Sequence, residues 1–518
     1  MRARGSRFLI VSLLLAGCGA ALRPFPDAPI VREDDDRTPF GPRPAPRRST
    51  AVWDAGEGVF FRPALRALSL EGGRQAVNVN ALDEVPDSSW FEARRVPAAE
   101  MSRGACAPSQ LAPPRPWRVL EPKTDGVQPG LFIEDARGRR HLLKTDGAGT
   151  PERSTAADAV GAALMHALGY HVPCNQVVFF AVDDLRFPPR LRAEVEAVIA
   201  AATPDARGRR ASLSALVDGE PLGPWRYEGV WPSDPNDRVP HERRRELRAL
   251  RWFFAWMDHL DAREHNTLMV WRGAERGHVE HLLIDFGDAF GAGAPSERRR
   301  ARMGRTSWMD PTATAEDVLT LGLLPRPWFV AREAHPILGD FATEPFDPDG
   351  WRSHYDPGPF ARADATDAAW AARRLATLTD AHLEEAVRAA RFADPSTAAL
   401  LVAALRTRRD AILTRHLSGR SPLTSPRALG DALCLDDVAV RAGLVLARAR
   451  EDFGRLRFPS SRGLAVSRTG ERVCVRGVPT EGYAVVDVRV RGVPGPARVH
   501  LRDGRVVGLE RPEGEAFP

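Results

Sequence analysis

The spacing of apolar residues changes period several times along the chain, and each change predicts an element. Residues 8–15 form one apolar run, too short to span a bilayer as a permanent helix. Residues 18–50 are rich in Pro, Arg and Asp and read as a disordered tether. Residues 51–116 carry scattered Trp and Phe, with turn chemistry between Asp83 and Trp90, and read as an extended segment packing on the core that begins at Trp117. From Trp117 the pattern is β, with short strands expected at 117–120, 131–134 and 140–144 and a turn at Asp135–Gly138. A helix comes next, with Thr155 and Asp158 as a capping box, an apolar stripe of Val160, Leu164, Ala167 and Leu168, and Gly169 as its stop. A strand is expected at 174–182, a helix at 190–202 and loop at 203–240. Leu247, Leu250, Phe254 and Met257 recur at spacings of three and four, which predicts a helix over 241–260. A β-hairpin is expected from 266–271 and 279–286, then mostly helix over 310–416 and again over 430–452. The last stretch turns β, with Asp503-Gly504 a hairpin signal. The fold class expected is α+β.

The chain has 518 residues, enough for two or three domains, and 43% hydrophobic content supports a sizeable core. It opens with Arg2, Arg4 and Arg7 before the apolar run, and small residues come after it, the pattern of a secretory signal at 1–17. Leu15-Ala16-Gly17-Cys18 resembles the bacterial lipobox, which implies lipid on Cys18, a membrane partner and an address in the cell envelope. Gly19 is not the Asp that retains lipoproteins at the inner membrane of enteric bacteria, so the outer membrane is favoured. The net charge of +5 falls to +2 once the three signal arginines leave, which is no footprint for nucleic acid. Cys106, Cys174, Cys434 and Cys474 remain; their spacings match no zinc motif, and an exported chain permits disulfides whose pairing stays open.

Of the 73 basic residues only Lys123 and Lys144 are lysine. Where arginine serves everywhere else, a retained lysine suggests a site needing a compact ammonium on a flexible stem. Three elements then stand in order: Lys144 closing a strand, the run from His259 through Asp261 and Arg263 to Asn266, and Asp285-Phe286-Gly287. An Asp and an Asn five residues apart can enter one cleft from a single loop. A hairpin brings Asn266 near Asp285, an oxygen pair suited to Mg²⁺. Phosphoryl transfer needs this inventory: a metal held by Asp and Asn, a Lys on the phosphates and an Asp by the attacking hydroxyl.

This arrangement resembles the protein-kinase-like superfamily, whose catalytic loop and Asp-Phe-Gly motif it matches in spacing. The resemblance implies a two-lobed core over 117–455, with a small lobe at 117–190 and a helical large lobe at 191–455, then a β module at 456–518. It implies ATP with Mg²⁺, or Mn²⁺, as cofactors. Asp261 would be the catalytic base beside Arg263, Asn266 and Asp285 would hold the metal, and Lys144 would contact the phosphates. The glycine-rich loop is weak: only Gly126 and Gly130 stand in it, with Lys123 as an aid. Asp158 or Glu152 would be the acidic partner of Lys144. The strings Asn78–Phe91, Gly169–Pro173 and Leu283–Gly287 also look like a group of bacterial envelope proteins that lends fold but no substrate. Two other readings stand beside an envelope phosphotransferase with a protein, glycan or small-molecule acceptor. One is an inactive scaffold, because ATP is scarce outside the cytoplasm. The other is a metal-dependent hydrolase with Asp258, Asp261, His265 and Asp285 as ligands.

Overall fold

The computed structural model describes residues 24–25, 36–68, 75–124, 126, 128–147, 149–306, 310–330, 333–342, 346–444, 452–490, 493 and 495–513. Cys18 lies outside them. The fold is α+β.

The first sheet is built from β1 (Trp117–Pro122), β2 (Gly130–Glu134), β3 (Arg140–Lys144), β4 (Asn175–Phe180), β5 (Leu185–Arg186), β6 (Pro204–Asp205) and β7 (Gly208–Ala215). Its order is β4-β7-β3-β2-β1-β5, with β6 paired to β7. The β2–β3 turn forms where expected, because the Asp135 carboxylate accepts from the backbone of Arg137 and Arg139 while Gly138 takes φ +79. The region expected as loop at 203–240 supplies β7, which sits between β4 and β3, so the sheet runs past residue 190. Arg209 and Arg210 mask its alternation: Arg210 is fully buried, donating to the carbonyl of Ala390 and to Thr155.

The helix Arg153–Leu168 comes after β3 and ends at Gly169, φ +113, as expected. Its start differs from the expectation. Thr155 and Asp158 lie inside the helix, and Asp146 caps it instead, accepting from the Thr155 amide at 2.8 Å and hydroxyl at 3.1 Å. Asp158 is thereby released for another role.

A second sheet pairs β8 (Glu220–Gly223) with the predicted hairpin, β9 (Thr267–Gly273) and β10 (Gly277–Leu283). The helix Arg245–Met257 precedes this hairpin and is buried along almost its whole length. It shares one hydrophobic core with the helices Ala365–Leu375, Asp380–Arg388 and Pro395–Leu417.

The segment expected as a tether and an extended stretch is more structured over its described part. Asp36 is buried against Ser89, and Phe40 bridges to Gly277. Residues 51–68 are helical: an α-helix Ala51–Gly56, a π turn Glu57–Phe61 and an α-helix Arg62–Leu68. The string Asn78–Phe91 is a clamp. Asn78 bonds Glu246, Asp83 gathers Arg245, Arg373 and Arg511, and Trp90 stacks on His281 at 3.5 Å.

The C-terminal module is an eight-stranded sheet spanning Leu423–Leu429 to Arg505–Glu510. It begins earlier than expected: of the helix anticipated over 430–452, residues 445–451 lie outside the described residues, and the described part holds a strand, Ala432–Asp437, and one short turn, Val438–Arg441. Leu433 and Leu435 face the module's core and pair against Val475 and Val473, so tertiary pairing decides this segment rather than local propensity. The disulfides are Cys106–Cys174 and Cys434–Cys474, the second joining adjacent strands.

Candidate functional site

Lys144 leaves the end of β3 and is buried at 4% exposure. Its Nζ lies 3.0 Å from Asp285 Oδ1 and 3.2 Å from Asp158 Oδ2. Asp158 is the acidic partner. Glu152 is engaged elsewhere, accepting from the Ala393 amide and pairing with Arg210. The short Asp suffices because the helix packs very closely on the Asp285-Phe286-Gly287 segment. A Cβ at Gly161 would stand 2.6 Å from the Phe286 Cβ, so only glycine permits the approach. Asp158 also accepts from the Phe286 amide at 3.3 Å and from Asn175 at 3.0 Å.

Burial alone would lower the lysine pKa, but the two carboxylates outweigh it and hold Lys144 charged, above its ordinary value. Burial would raise Asp285, but the charge and hydrogen bond of Lys144 bring it below its ordinary value. The Asp285 side chain stays 42% exposed, and its backbone takes φ +59, a left-handed conformation that Asp tolerates better than most residues.

Asp261 comes after the helix Arg245–Met257, beyond a turn at Asp258, φ 55. The structure adds a partner that the sequence did not reveal: His354 Nδ1 donates to Asp261 Oδ1 at 3.1 Å, and Arg263 Nη2 to Oδ2 at 2.5 Å. Desolvation pushes the carboxyl up, yet the bonds from His354 and Arg263 hold it well below the usual carboxylate range. Asn266 Nδ2 donates to the Asp261 carbonyl at 2.9 Å, and the Asn266 carbonyl accepts from Ile284 at 3.0 Å. The loop with Asp261 is thus stitched to the strand end that carries Asp285. His259 donates to Asp288, whose other oxygen accepts from the Leu260 amide at 3.1 Å, so both residues hold the loop's shape.

The segment between β1 and β2 lies against Gly287: a Cβ there would be 3.0 Å from Gln128 Nε2. Gly126 takes φ +82 with its own loop's Lys123 Nζ against it, while Lys123 donates to the Gln128 carbonyl at 3.2 Å. Gly130 stands at the start of β2. It pairs with Lys144 in the β2–β3 ladder, and a Cβ there would meet the Leu143 carbonyl at 2.6 Å.

The hydrolase ligand set does not converge. Asp258 is fully buried and accepts from Trp351, and His265 points to Asp54 at 3.9 Å. Among the described residues no cluster of three or more His, Cys, Asp or Glu side chains is arranged to hold a metal. A large cavity of about 700 Å³ is lined by Arg115, Trp117, Phe179, Arg207 and Arg391 and touches none of the site residues. Volume therefore points away from the site, but the buried charges converge on Lys144, and perturbed charge is the better marker of chemistry.

His354 gives the site a measurable pH signature. Burial lowers its pKa, but bonds to Asp261 and Glu297 push it up to about 9, against an ordinary 6.5. Its pairing therefore stabilises the fold fully below the ordinary value and is lost as pH rises through about 9. Wild type is expected to lose stability between roughly pH 7 and pH 10 that His354→Gln does not lose, read as urea midpoints at constant slope. Equal losses in the two proteins would show that the pairing contributes nothing. No protein-family model matches the chain and no curated protein matches it.

Proposed function

We propose that the chain is an atypical, protein-kinase-like phosphotransferase of the cell envelope, anchored through lipid on Cys18 and using ATP with Mg²⁺ or Mn²⁺. The observation that carries this reading is the junction of Lys144 with Asp158 and Asp285. A buried ammonium held between a carboxylate from the following helix and the Asp of an Asp-Phe-Gly segment is the phosphate-binding arrangement of such enzymes. On this reading β1–β3 with the helix Arg153–Leu168 form the small lobe, and the helices from Arg245 onward form the large one.

The residues fit the cofactor. Asp285 is ionised and partly exposed, and Asn266 adds an amide oxygen on the adjoining loop, two hard oxygen donors of the kind Mg²⁺ takes while keeping waters. Bound ATP would supply the transferable γ-phosphoryl group. Lys144 would neutralise phosphate charge. Asp261 would accept the acceptor hydroxyl's proton, and Arg263 would orient it. The segment at Lys123, Gly126 and Gln128 would close over the phosphates, with Gly130 serving the ladder instead.

A second reading has its own support. Both Asp261 oxygens are taken up by His354 and Arg263, as befits an inactive scaffold whose site retains only structure. A thermal shift separates the two. Saturating ATP with Mg²⁺ or Mn²⁺ is expected to stabilise the wild type by about 2.7 kcal/mol at a hundredfold excess over Kd. Asp285→Ala is expected to abolish that gain. No shift in the wild type would move the assignment to the scaffold.

A further inference from the structure

The N-terminal helical stretch is inside out. Its charged side faces the protein: Arg62 pairs with Glu228 at 2.6 Å and with Glu57 and Glu264 at 2.7 Å. Asp54 accepts from Tyr355 at 2.7 Å and from the Glu264 amide at 3.3 Å, and Arg66 donates to the Asp356 carbonyl at 3.0 Å. Gly58 meets Tyr355 so closely that an added Cβ would stand 2.6 Å from its ring. The apolar side faces outward. Val52 is 85% exposed, Trp53 60%, Phe60 55%, Phe61 59%, Leu65 67% and Leu68 82%. Trp53, Phe61 and Leu65 also line an open cavity of about 390 Å³ together with Arg226 and Glu228. Helices of water-soluble surfaces orient the other way, so an outward apolar stripe of this size marks a contact.

We propose that this face is a second membrane contact, lying in the headgroup–acyl boundary of the bilayer that carries the protein's lipid. The occupant is set by chain length, and it rests on the lipid at Cys18 proposed above. Phe25 is docked on the C-terminal module, its amide donating to Tyr483 at 2.9 Å and its ring 4.7 Å from that of His500. It stands only seven residues beyond Cys18, a reach of about 25 Å when fully extended. The body is thus held within that reach of the bilayer rather than on a long leash. At that distance an exposed apolar face can enter the headgroup–acyl boundary without releasing the lipid. Aromatic side chains such as Trp53 and Phe61 are suited to the interfacial layer. Because Asp54 holds Glu264, two residues before Asn266, the contact also sets the orientation of the Asp261 loop relative to the membrane plane.

The test uses the full processed chain in phosphatidylethanolamine–phosphatidylglycerol vesicles whose acyl chains are brominated near the headgroup. Tryptophan fluorescence is expected to be quenched, and Trp53→Phe is expected to lose most of that quenching. The variant F60E/F61E/L65E is expected to stay with the vesicles through its lipid yet show no quenching; its substitutions fall at exposed positions, and its melting temperature in detergent checks the fold. Quenching absent in the wild type, or unchanged in Trp53→Phe, would overturn the proposal. Concentration-dependent self-association that the triple variant abolishes, without quenching, would assign the face to a second copy and overturn it as well. The mass of the N-terminal peptide reports lipidation separately, so failure of the anchor and failure of the contact are distinguishable.

Discussion

Lys144→Met is expected to abolish the stabilisation by ATP and Mg²⁺ and to cost about 3–5 kcal/mol of folding stability in their absence. The second effect comes from burial. Asp158 is 1% exposed, and with the ammonium gone it faces Asp285 across the vacated space. An uncompensated buried carboxylate prefers to be protonated. In the wild type the lowered pKa of Asp285 gives stability that is present above its ordinary 3.8 and lost as pH falls. In the variant the sign reverses, because protonation now relieves the site, so the gap between the two proteins should narrow on acidification. Lys144→Arg should not restore nucleotide binding, since a rigid guanidinium fork cannot occupy the position of a compact ammonium between two carboxylates. Adding Asp158→Asn to Lys144→Met should recover part of the stability but none of the nucleotide response. Melting curves of these proteins with and without ATP–Mg²⁺ check each point. A Lys144→Met protein that still gained stability from the nucleotide would remove Lys144 from the proposed phosphate site.

Asp83→Ala is expected to be the most damaging substitution remote from that site, at about 3–5 kcal/mol. Asp83 accepts from Arg245 in the large helical region at 2.5 Å, from Arg373 at 3.0 Å and from Arg511 at the end of the C-terminal module at 2.7 Å. Burial would push its carboxyl up, but the three guanidinium groups hold it far below the usual range. Arg511 is fully buried; desolvation, then Arg373, bring it down to about 10. Without the carboxylate, three positive charges share a desolvated space with no central anion. The backbone bond from Leu509 to Ala81, at 2.7 Å, ties the module to the same clamp. Scanning calorimetry should therefore resolve a separate, earlier transition for the module in the variant. Where the variant stays folded, ATP–Mg²⁺ should still stabilise it, because Asp83 touches none of the site residues. A single transition at the wild-type temperature would show that the cluster is not what joins the module to the body.

Much of the site was legible from local chemistry. Lysine scarcity singled out Lys123 and Lys144, and spacing singled out Asp261, Asn266 and Asp285, because the proposed phosphate site would need fixed donors at fixed separations along the loops that carry them. The hairpin of β9 and β10 and the helix Arg245–Met257 were legible from periodicity, since each buries one face of a regular pattern. Three features were not. For the acidic partner of Lys144 the sequence left Asp158 and Glu152 side by side, with Asp158 also read as a cap, and only the fold, in which Asp146 caps the helix, decides for Asp158. His354 lies 93 residues from Asp261 and carries no local signal. Gly161 did carry one, an unexplained glycine inside a helix, but its meaning needs Phe286 beside it.

By itself, then, the sequence determined the α+β class, the order of the chemistry-bearing residues and the four cysteines left for pairing after Cys18. It did so through patterns that local sterics and burial impose over a few residues. The tertiary structure alone decided the cysteine partners, the strand character of Ala432–Asp437, the inward charge and outward apolar face of the N-terminal helix, and the partner of each buried ion. Those outcomes depend on which distant surfaces meet. Desolvation makes every buried charge find its counterpart across the fold, and no local pattern records where that counterpart stands.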